Sequence, residues 1–249
     1  MKSIIEFGNK QYHVYLNEPL DLSIPMESGK NNPNAFGLPT PLFEPFKVGS
    51  FIGSVAQGGP VNCENLFLNP HGNGTHTECY GHISKEKYTI YEALKQYFFL
   101  AQVISVPMHT INHDQVVTWD DLEKVIKPDV EAVVLRTLPN TAHKLTAHYS
   151  GNNPGYLTPE VCLNLCKMGV KHLIIDLPSV DREEDGGALA AHHAFWNYPH
   201  APRKDATITE MAFIHDSIAD GLYVLNLQIA SFKSDASPSK PVLYKAHVL

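Results

Sequence analysis

The stretch NPHGNGTHTECYGHIS, residues 69–84, gathers His71, His76, Glu78 and His82 around Gly72 and Gly74. Imidazole is a common metal ligand and also the side chain that changes charge near neutral pH, so such a segment can hold a metal ion, carry a proton, or do both. His76 and Glu78 are two positions apart and project to the same side of an extended backbone, while the glycines let the chain bend close to an ion. An imidazole and a carboxylate placed that way can share one metal. His82, four residues beyond Glu78, is near enough to join as a ligand or as a proton carrier. Cys79 would suit zinc, but a cysteine beside a ligand more often packs into the core. Taken alone, the cluster is equally compatible with a polar turn whose histidines bond locally.

A second cluster shifts that balance. The segment ALAAHHAFW supplies His192 and His193, and ATITEMAFI sets Glu210 among apolar neighbours. A carboxylate in such a setting is costly unless it is paired or bound to a cation. His76, Glu78, His192 and Glu210 together form a mixed nitrogen and oxygen set suited to zinc, manganese or iron(II). His109 and His113 share a helical spacing, but Pro107 and β-branched neighbours argue against a helix there, which leaves them surface or core roles.

These residues need a scaffold to bring them together, and the chain reads as alternating strands and helices. HVYLNEPLDLSIPM is an edge strand followed by a turn, punctuated by Pro19 and Pro25. From Glu27 to Pro60 the chain is dense in Gly, Asn and Pro, and its Phe36, Phe43, Phe46 and Phe51 suit either a lid over a cleft or a packed loop. Thr89 opens a short helix that leads into a buried strand, FFLAQVISV. Thr118 can cap a helix through WDDLEKVI, ending before Pro128, and EAVVLRT reads as a central strand. Thr158, Pro159 and Gly169 frame the helix PEVCLNLCKM, in which Cys162 and Cys166 share a face as two small core residues. HLIIDLPSV is another buried strand, and YVLNLQIA the last clear one. The pattern predicts a single α/β domain over residues 1–249, with helices packed on a mixed central sheet.

Composition narrows the function. The 249 residues carry 43% apolar and 18% charged side chains, which places the chain among folded soluble proteins. A net charge of -7 provides no basic field for a nucleic acid. No apolar run is long enough to span a membrane, and the opening MKSIIEFGNKQYHVYL is broken by Glu6, Asn9 and Lys10 before a secretory core could form, so a cytoplasmic location is expected. The four cysteines form no CxxC pair and no disulfide framework.

The segment GTHTECYGH resembles the cyclase-like metal-dependent hydrolase family, which includes bacterial kynurenine formamidase and isatin hydrolase and carries the pattern HxGTHxDxPxH. The likeness extends through LDLSIPM, AVVLRT, GYLTPEV, IIDLPSVD, AHHAFW and ITEM, in the family's order. It implies the swivelling β/β/α fold, a divalent metal such as zinc or manganese, and a homodimer or homotetramer. Carried over by position, His76, Glu78, His192 and Glu210 are metal ligands and His82 is the general acid/base. Glu78 replaces the family's aspartate, and Tyr80 stands where the family has proline. Gly72 occupies the first ligand's place, with His71 one residue early, so His71 reaches the metal only if the backbone bulges by one residue. One tightly held ion is therefore expected, with any second bound weakly. His192 fits the family's spacing, with Phe195 and Trp196 in the bulky places that follow, and His193 is the reserve. Glu210 lies further from His192 than is usual, which points to an inserted loop within NYPHAPRKDAT. Tyr80, Phe195 and Trp196 are the candidate substrate contacts.

The implied chemistry is hydrolysis of a carbon–nitrogen bond in an amide, formamide or cyclic amide. A bound divalent ion lowers the pKa of its water from about 15.7 to about 7, giving hydroxide at neutral pH. His82 would take a proton and return it to the leaving nitrogen. A lactone or ester hydrolase of the same fold is the alternative enzyme. A non-catalytic member that binds a metal or a small molecule is the alternative of another class, motivated by the displaced first histidine.

Overall fold

A computed structural model describes all residues, 1–249. Its centre is a ring of seven hydrogen-bonded strands. In order around the ring these are Gly221–Ile229, Phe98–Pro107, Ala132–Leu138, His172–Ile175, Thr207–Glu210, His76–Cys79 and Ala236–Lys245, the last of which pairs back with the first. Four neighbours, from Phe98–Pro107 to Thr207–Glu210, run parallel, and the remaining pairings are antiparallel. The sheet is therefore mixed, as the alternating elements predict.

Alternation along each strand sorts its side chains between two cores. Val133 and Leu135 join the cluster that packs under the helices Pro159–Lys167 and Ala190–Trp196, while Ala132 and Val134 join the other. The same division separates Leu100, Ile104 and Val106 from Phe99, Ala101 and Val103. Burial on both faces accounts for the continuous apolar runs in these strands. Pro159–Lys167 begins with proline in its first turn and is followed by Gly169 at φ 80°, as its sequence frame predicts. Cys162 is buried there, whereas Cys166 is only partly covered.

Three elements differ from expectation. The strand Lys10–Tyr15, expected at an edge, is the middle of a three-stranded sheet, between Lys2–Phe7 and His247–Val248. The helix expected from Trp119 is a 3-10 turn, Trp119–Asp121, followed by further turns. Thr118 and Asp121 form a capping box, so the start signal operates, but Val125 is 49% exposed and the segment buries too narrow an apolar face to hold a longer helix. The closing strand Ala236–Lys245 lies beyond YVLNLQIA, the last strand expected, and carries Pro238 and Pro241, a residue type that interrupts most central strands. Pro238 lies where this strand leaves the His76–Cys79 strand and Ser239 takes up pairing with Gly221–Ile229. A missing N–H is tolerated at such a changeover.

Residues 41–68 project as paired short strands, with Leu42–Pro45 against Glu64–Phe67 and Lys47–Val48 against Phe51–Ile52. Leu42, Val48, Val55, Val61, Leu66 and Phe67 are exposed on this arm. No helix is long and apolar enough to cross a membrane.

Candidate metal centre

The strand His76–Cys79 positions the site. His76 and Glu78 point to one face and are fully buried, while Thr77 and Cys79 point to the other. Thr77 shares a hydrogen bond with Thr209 between hydroxyls 2.7 Å apart. Cys79 packs in the second core, its Sγ near the carbonyls of Tyr88 and Asp235, and burial pushes its thiol up to about 12. It is therefore a core residue rather than a donor to the site. The neighbouring strand sets Glu210 directly across from His76. The helix Ala190–Trp196 brings in His192, whose Nε2 lies 3.0 Å from Glu78 Oε1 and 3.8 Å from Glu210 Oε1. Residues separated by more than a hundred positions thus converge on one carboxylate.

The hydrogen bonds decide what this pocket accepts. His76 Nδ1 is 2.9 Å from the Gly74 carbonyl oxygen, which can only accept, so Nδ1 carries a proton. In the neutral ring, Nε2 then presents a lone pair and has no hydrogen-bond partner, although it is buried. It faces Glu210 Oε2 at 3.4 Å, acceptor toward acceptor. Glu78 Oε2 is likewise buried without a hydrogen-bond partner. Unpartnered lone pairs converging in a dry pocket are costly unless a cation lies between them. The donor set thus fits a divalent metal, with His71, His76 and Glu78 forming one group of converging atoms, and Glu78, His82 and His192 another.

Charges within the cluster are closely paired. Burial opposes ionisation of Glu78, but the charge of His82, the hydrogen bond from His192 and the nearness of His71 hold its carboxyl well below the usual range. Burial opposes protonation of His192, yet Asp181 and Glu78 raise it to about 10. Asp181 was not among the expected site residues. Its Oδ2 is 2.6 Å from His192 Nδ1, and its carboxylate also accepts the backbone N–H groups of Ala191 and His192 at the start of the helix. Glu210 is fixed by accepting the Val180 N–H at 2.9 Å.

His71 does reach the cluster, with Nδ1 3.1 Å from Glu78 Oε2. No strand bulge is needed. Residues Pro70–Asn73 form a helical turn in which Asn69 accepts the His71 N–H. A one-residue shift there rotates a side chain by about 100° instead of reversing it. Gly72 could not carry the ligand itself, because a Cβ would lie 2.5 Å from Leu38 Cδ1 and 2.9 Å from the Ala35 carbonyl oxygen.

His82, at the end of the 3-10 turn Tyr80–His82, is more open than the others, with Nε2 3.9 Å from Glu78 Oε2. Its Nδ1 is 3.3 Å from Asp235, a second residue that sequence reasoning missed. His193 turns away and meets the Tyr198 carbonyl. A cavity of about 240 Å³ opens onto the cluster, lined by His71, His82, His192 and Glu210 together with Phe36, Arg182 and Leu189. Phe36 belongs to the loop whose phenylalanines suited either a lid over a cleft or a packed loop.

The candidate substrate contacts sit elsewhere. Phe195 and Trp196 are fully buried in the helix-covered core, where Trp196 Nε1 donates to the Ala206 carbonyl and the Arg203 guanidinium lies over the Phe195 ring. On a helix, positions three and four beyond His192 share its face, so both rings lie one turn further along in the core, with Trp196 5.3 Å from the His192 ring. Tyr80 stacks against Tyr88 and Tyr198 and is also nearly buried. None of the three lines the cavity. The stretch after Trp196 is anchored at the helix C-terminus, where Arg203 donates to the carbonyls of Phe195 and Val170.

The family described as putative cyclase matches residues 20–182, well over half the chain. This protein is a member of that cyclase family. Among its relatives, the kynurenine formamidase of Bacillus thuringiensis (strain Al Hakam) is 28% identical over 192 residues, covering 76% of this chain and 83% of the relative. The kynurenine formamidase of Bacillus anthracis is 26% identical over the same length. A potential metal-dependent hydrolase with cyclase activity superimposes with a TM-score of 0.66 at 14% identity, covering 91% of this chain and 97% of that one. An isatin hydrolase bound to the product analogue thioisatinate gives 0.65 at 15% identity, covering 92% and 93%. At that identity the structural likeness carries the fold. Relative to the cyclase pattern, this member keeps the glycine–threonine–histidine core of the motif and moves its first histidine one residue toward the N-terminus.

Proposed function

We propose that this protein is a metal-dependent hydrolase that cleaves the carbon–nitrogen bond of a small amide, formamide or cyclic amide. The observation that carries the reading is the pair of buried atoms without a hydrogen-bond partner, His76 Nε2 and Glu78 Oε2, beside the residues His71, His82, His192 and Glu210 that line an open cavity. Family membership and the kynurenine formamidase relatives support the reaction class. His76, Glu78, His192 and Glu210 would hold one ion tightly, with any second held weakly, and His71, whose Nδ1 converges with His76 and Glu78, would be available as a further donor. Zinc or manganese suits this mixture of imidazole and carboxylate. Such an ion supplies Lewis acidity, which activates a water at neutral pH and polarises a carbonyl oxygen.

The protein's own residues do the rest. Asp181 holds His192 in one tautomer and orientation, as a carboxylate behind a ligand histidine commonly does. His82, at the cavity wall with a ring edge free, takes a proton from the attacking water and returns it to the leaving nitrogen. Phe36 and Leu189 offer an apolar wall to a flat substrate. Tyr80, Phe195 and Trp196 act from beneath, by fixing the elements that carry His82 and His192. The displaced first histidine was the reason to consider a non-catalytic member, and with His71 in the cluster that reason loses its force. The lactone reading stays as an outcome of the test.

The exposed apolar arm, residues 41–68, supports a homodimer or homotetramer in which a second copy covers it. Four free thiols support a reducing, cytoplasmic location. The test is to strip the purified protein of metal, reload it with zinc or manganese, and assay formanilides, cyclic amides and lactones. Metal-dependent turnover of an amide is expected. Turnover confined to lactones would transfer the assignment to ester chemistry, and tight metal binding without any turnover would refute the hydrolase reading.

A further inference from the structure

Asp235 belongs to no motif of the site, yet one of its oxygens touches two of the site's histidines. Oδ2 lies 2.9 Å from His71 Nε2 and 3.3 Å from His82 Nδ1. The two rings stack on each other at 4.3 Å between centroids, 28° from parallel. Asp235 is itself firmly placed. Its backbone carbonyl accepts the Cys79 N–H at 3.1 Å, its Oδ1 accepts the Ser234 hydroxyl at 3.0 Å, and the next residue, Ala236, pairs directly with Glu78 in the sheet.

A carboxylate oxygen can only accept, so each ring nitrogen facing it must carry hydrogen, and in a neutral ring the opposite nitrogen is left with a lone pair. For His71 that opposite atom is Nδ1, which faces Glu78 Oε2 at 3.1 Å and so holds hydrogen as well unless a cation takes that place, Asp235 then keeping the Nε2 hydrogen. For His82 it is Nε2, the ring edge nearest Glu78. We propose that Asp235 is a positioning residue which, through a single oxygen, sets opposite tautomers in two histidines, turning His71 Nδ1 into a metal donor and His82 Nε2 into a proton acceptor. It thereby makes the displaced histidine usable. His71 arrives from a helical turn, not from the strand, and needs an outside anchor to aim its ring; a carboxylate behind a ligand histidine provides that. The proton-acceptor half of this inference rests on the hydrolase reading, whereas the metal-donor half does not.

Two measurements test it. Long-range nitrogen–proton correlation spectra of histidine-labelled wild-type protein, metal-free and zinc-loaded, report which ring nitrogen of His82 carries the proton and, with zinc present, which nitrogen of His71 does. Expected are hydrogen on Nδ1 of His82 and on Nε2 of His71; the reverse assignment for either ring overturns the proposal without any variant. The second measurement uses Asp235→Ala and Asp235→Asn, the latter keeping an accepting oxygen. Zinc affinity by chelator competition should weaken about 10–100-fold in Asp235→Ala and recover in part in Asp235→Asn. At saturating zinc, kcat should fall in Asp235→Ala with KM little changed. A folded Asp235→Ala with wild-type zinc affinity and an unchanged His82 tautomer would overturn it. If wild type binds zinc but hydrolyses no amide, the hydrolase reading fails, while affinity and tautomer still judge Asp235.

Discussion

Replacing Gly72 with alanine sets two physical effects against each other at the point where this member departs from its family. Gly72 lies in the helical turn Pro70–Asn73, and alanine is favoured over glycine in a helix interior by about 1 kcal/mol, so propensity alone predicts stabilisation. Its φ is not in the left-handed region, so no backbone strain opposes the change. Packing does. The added methyl would lie 2.5 Å from Leu38 Cδ1 and 2.9 Å from the Ala35 carbonyl oxygen, both inside normal contact. Leu38 can rotate, but the carbonyl sits on a pinned loop. The Ala35 N–H donates to the Gly72 carbonyl at 3.0 Å, and the Gly37 N–H donates to Ser150 Oγ at 2.7 Å. Overpacking of this kind costs about 1–3 kcal/mol, which exceeds the propensity gain over most of that range. A net loss of up to about 2 kcal/mol lowers Tm by up to roughly 8 °C in a chain of this size. Thermal unfolding followed by circular dichroism, with metal stripped and reloaded, would measure it. Zinc affinity should fall as well, because His71 is the adjacent residue and moves with the turn. In a Leu38→Ala background only part of the loss should disappear, since the carbonyl remains. A Tm for Gly72→Ala above wild type would refute the steric argument and leave Gly72 merely tolerated.

Three further outcomes are expected. His82→Ala should lose about a hundred- to ten-thousand-fold in kcat while keeping its metal, as measured by elemental analysis beside steady-state kinetics; full activity would remove the proton-transfer role. Saturating zinc should stabilise the wild type by about 4 kcal/mol at a thousandfold excess over Kd, visible as a rise in Tm that Glu78→Gln largely abolishes; equal shifts in the two proteins would place the ion elsewhere. His172 is held at about 3, below its ordinary 6.5, first by burial and then by the charge of Lys171. The unfolded chain therefore takes up the proton first, and this contribution to stability is complete above pH 6.5 and lost as the pH falls toward 3. By pH 5 the loss should be about 2 kcal/mol, read as the difference between denaturant unfolding curves of wild type and His172→Gln; parallel pH profiles for the two proteins would contradict it.

Most of the scaffold was legible in the sequence because its signals are local. The apolar runs of Ala132–Leu138 and His172–Ile175 announce buried strands, and Pro159 with Gly169 brackets a helix through backbone geometry that needs no distant partner. The two-residue spacing of His76 and Glu78 on one strand fixed which side each would face, and it fixed Cys79 on the other. Tertiary structure decided what depends on which segments meet. Pro238 and Pro241 are of a residue type that interrupts most central strands, yet the strand that carries them closes the ring between two partners. Asp181 and Asp235 look like loop aspartates until one stands behind His192 and the other behind His71 and His82, across separations of 11, 164 and 153 residues. The aromatic residues after His192 suggested a substrate wall, but the roll of a short helix against the core buried them. His71 was left open by the motif spacing, because a one-residue offset excludes a ligand on a strand and admits it on a helical turn, and the turn that Asn69 caps, with Gly72 against Ala35 and Leu38, brings it to Glu78.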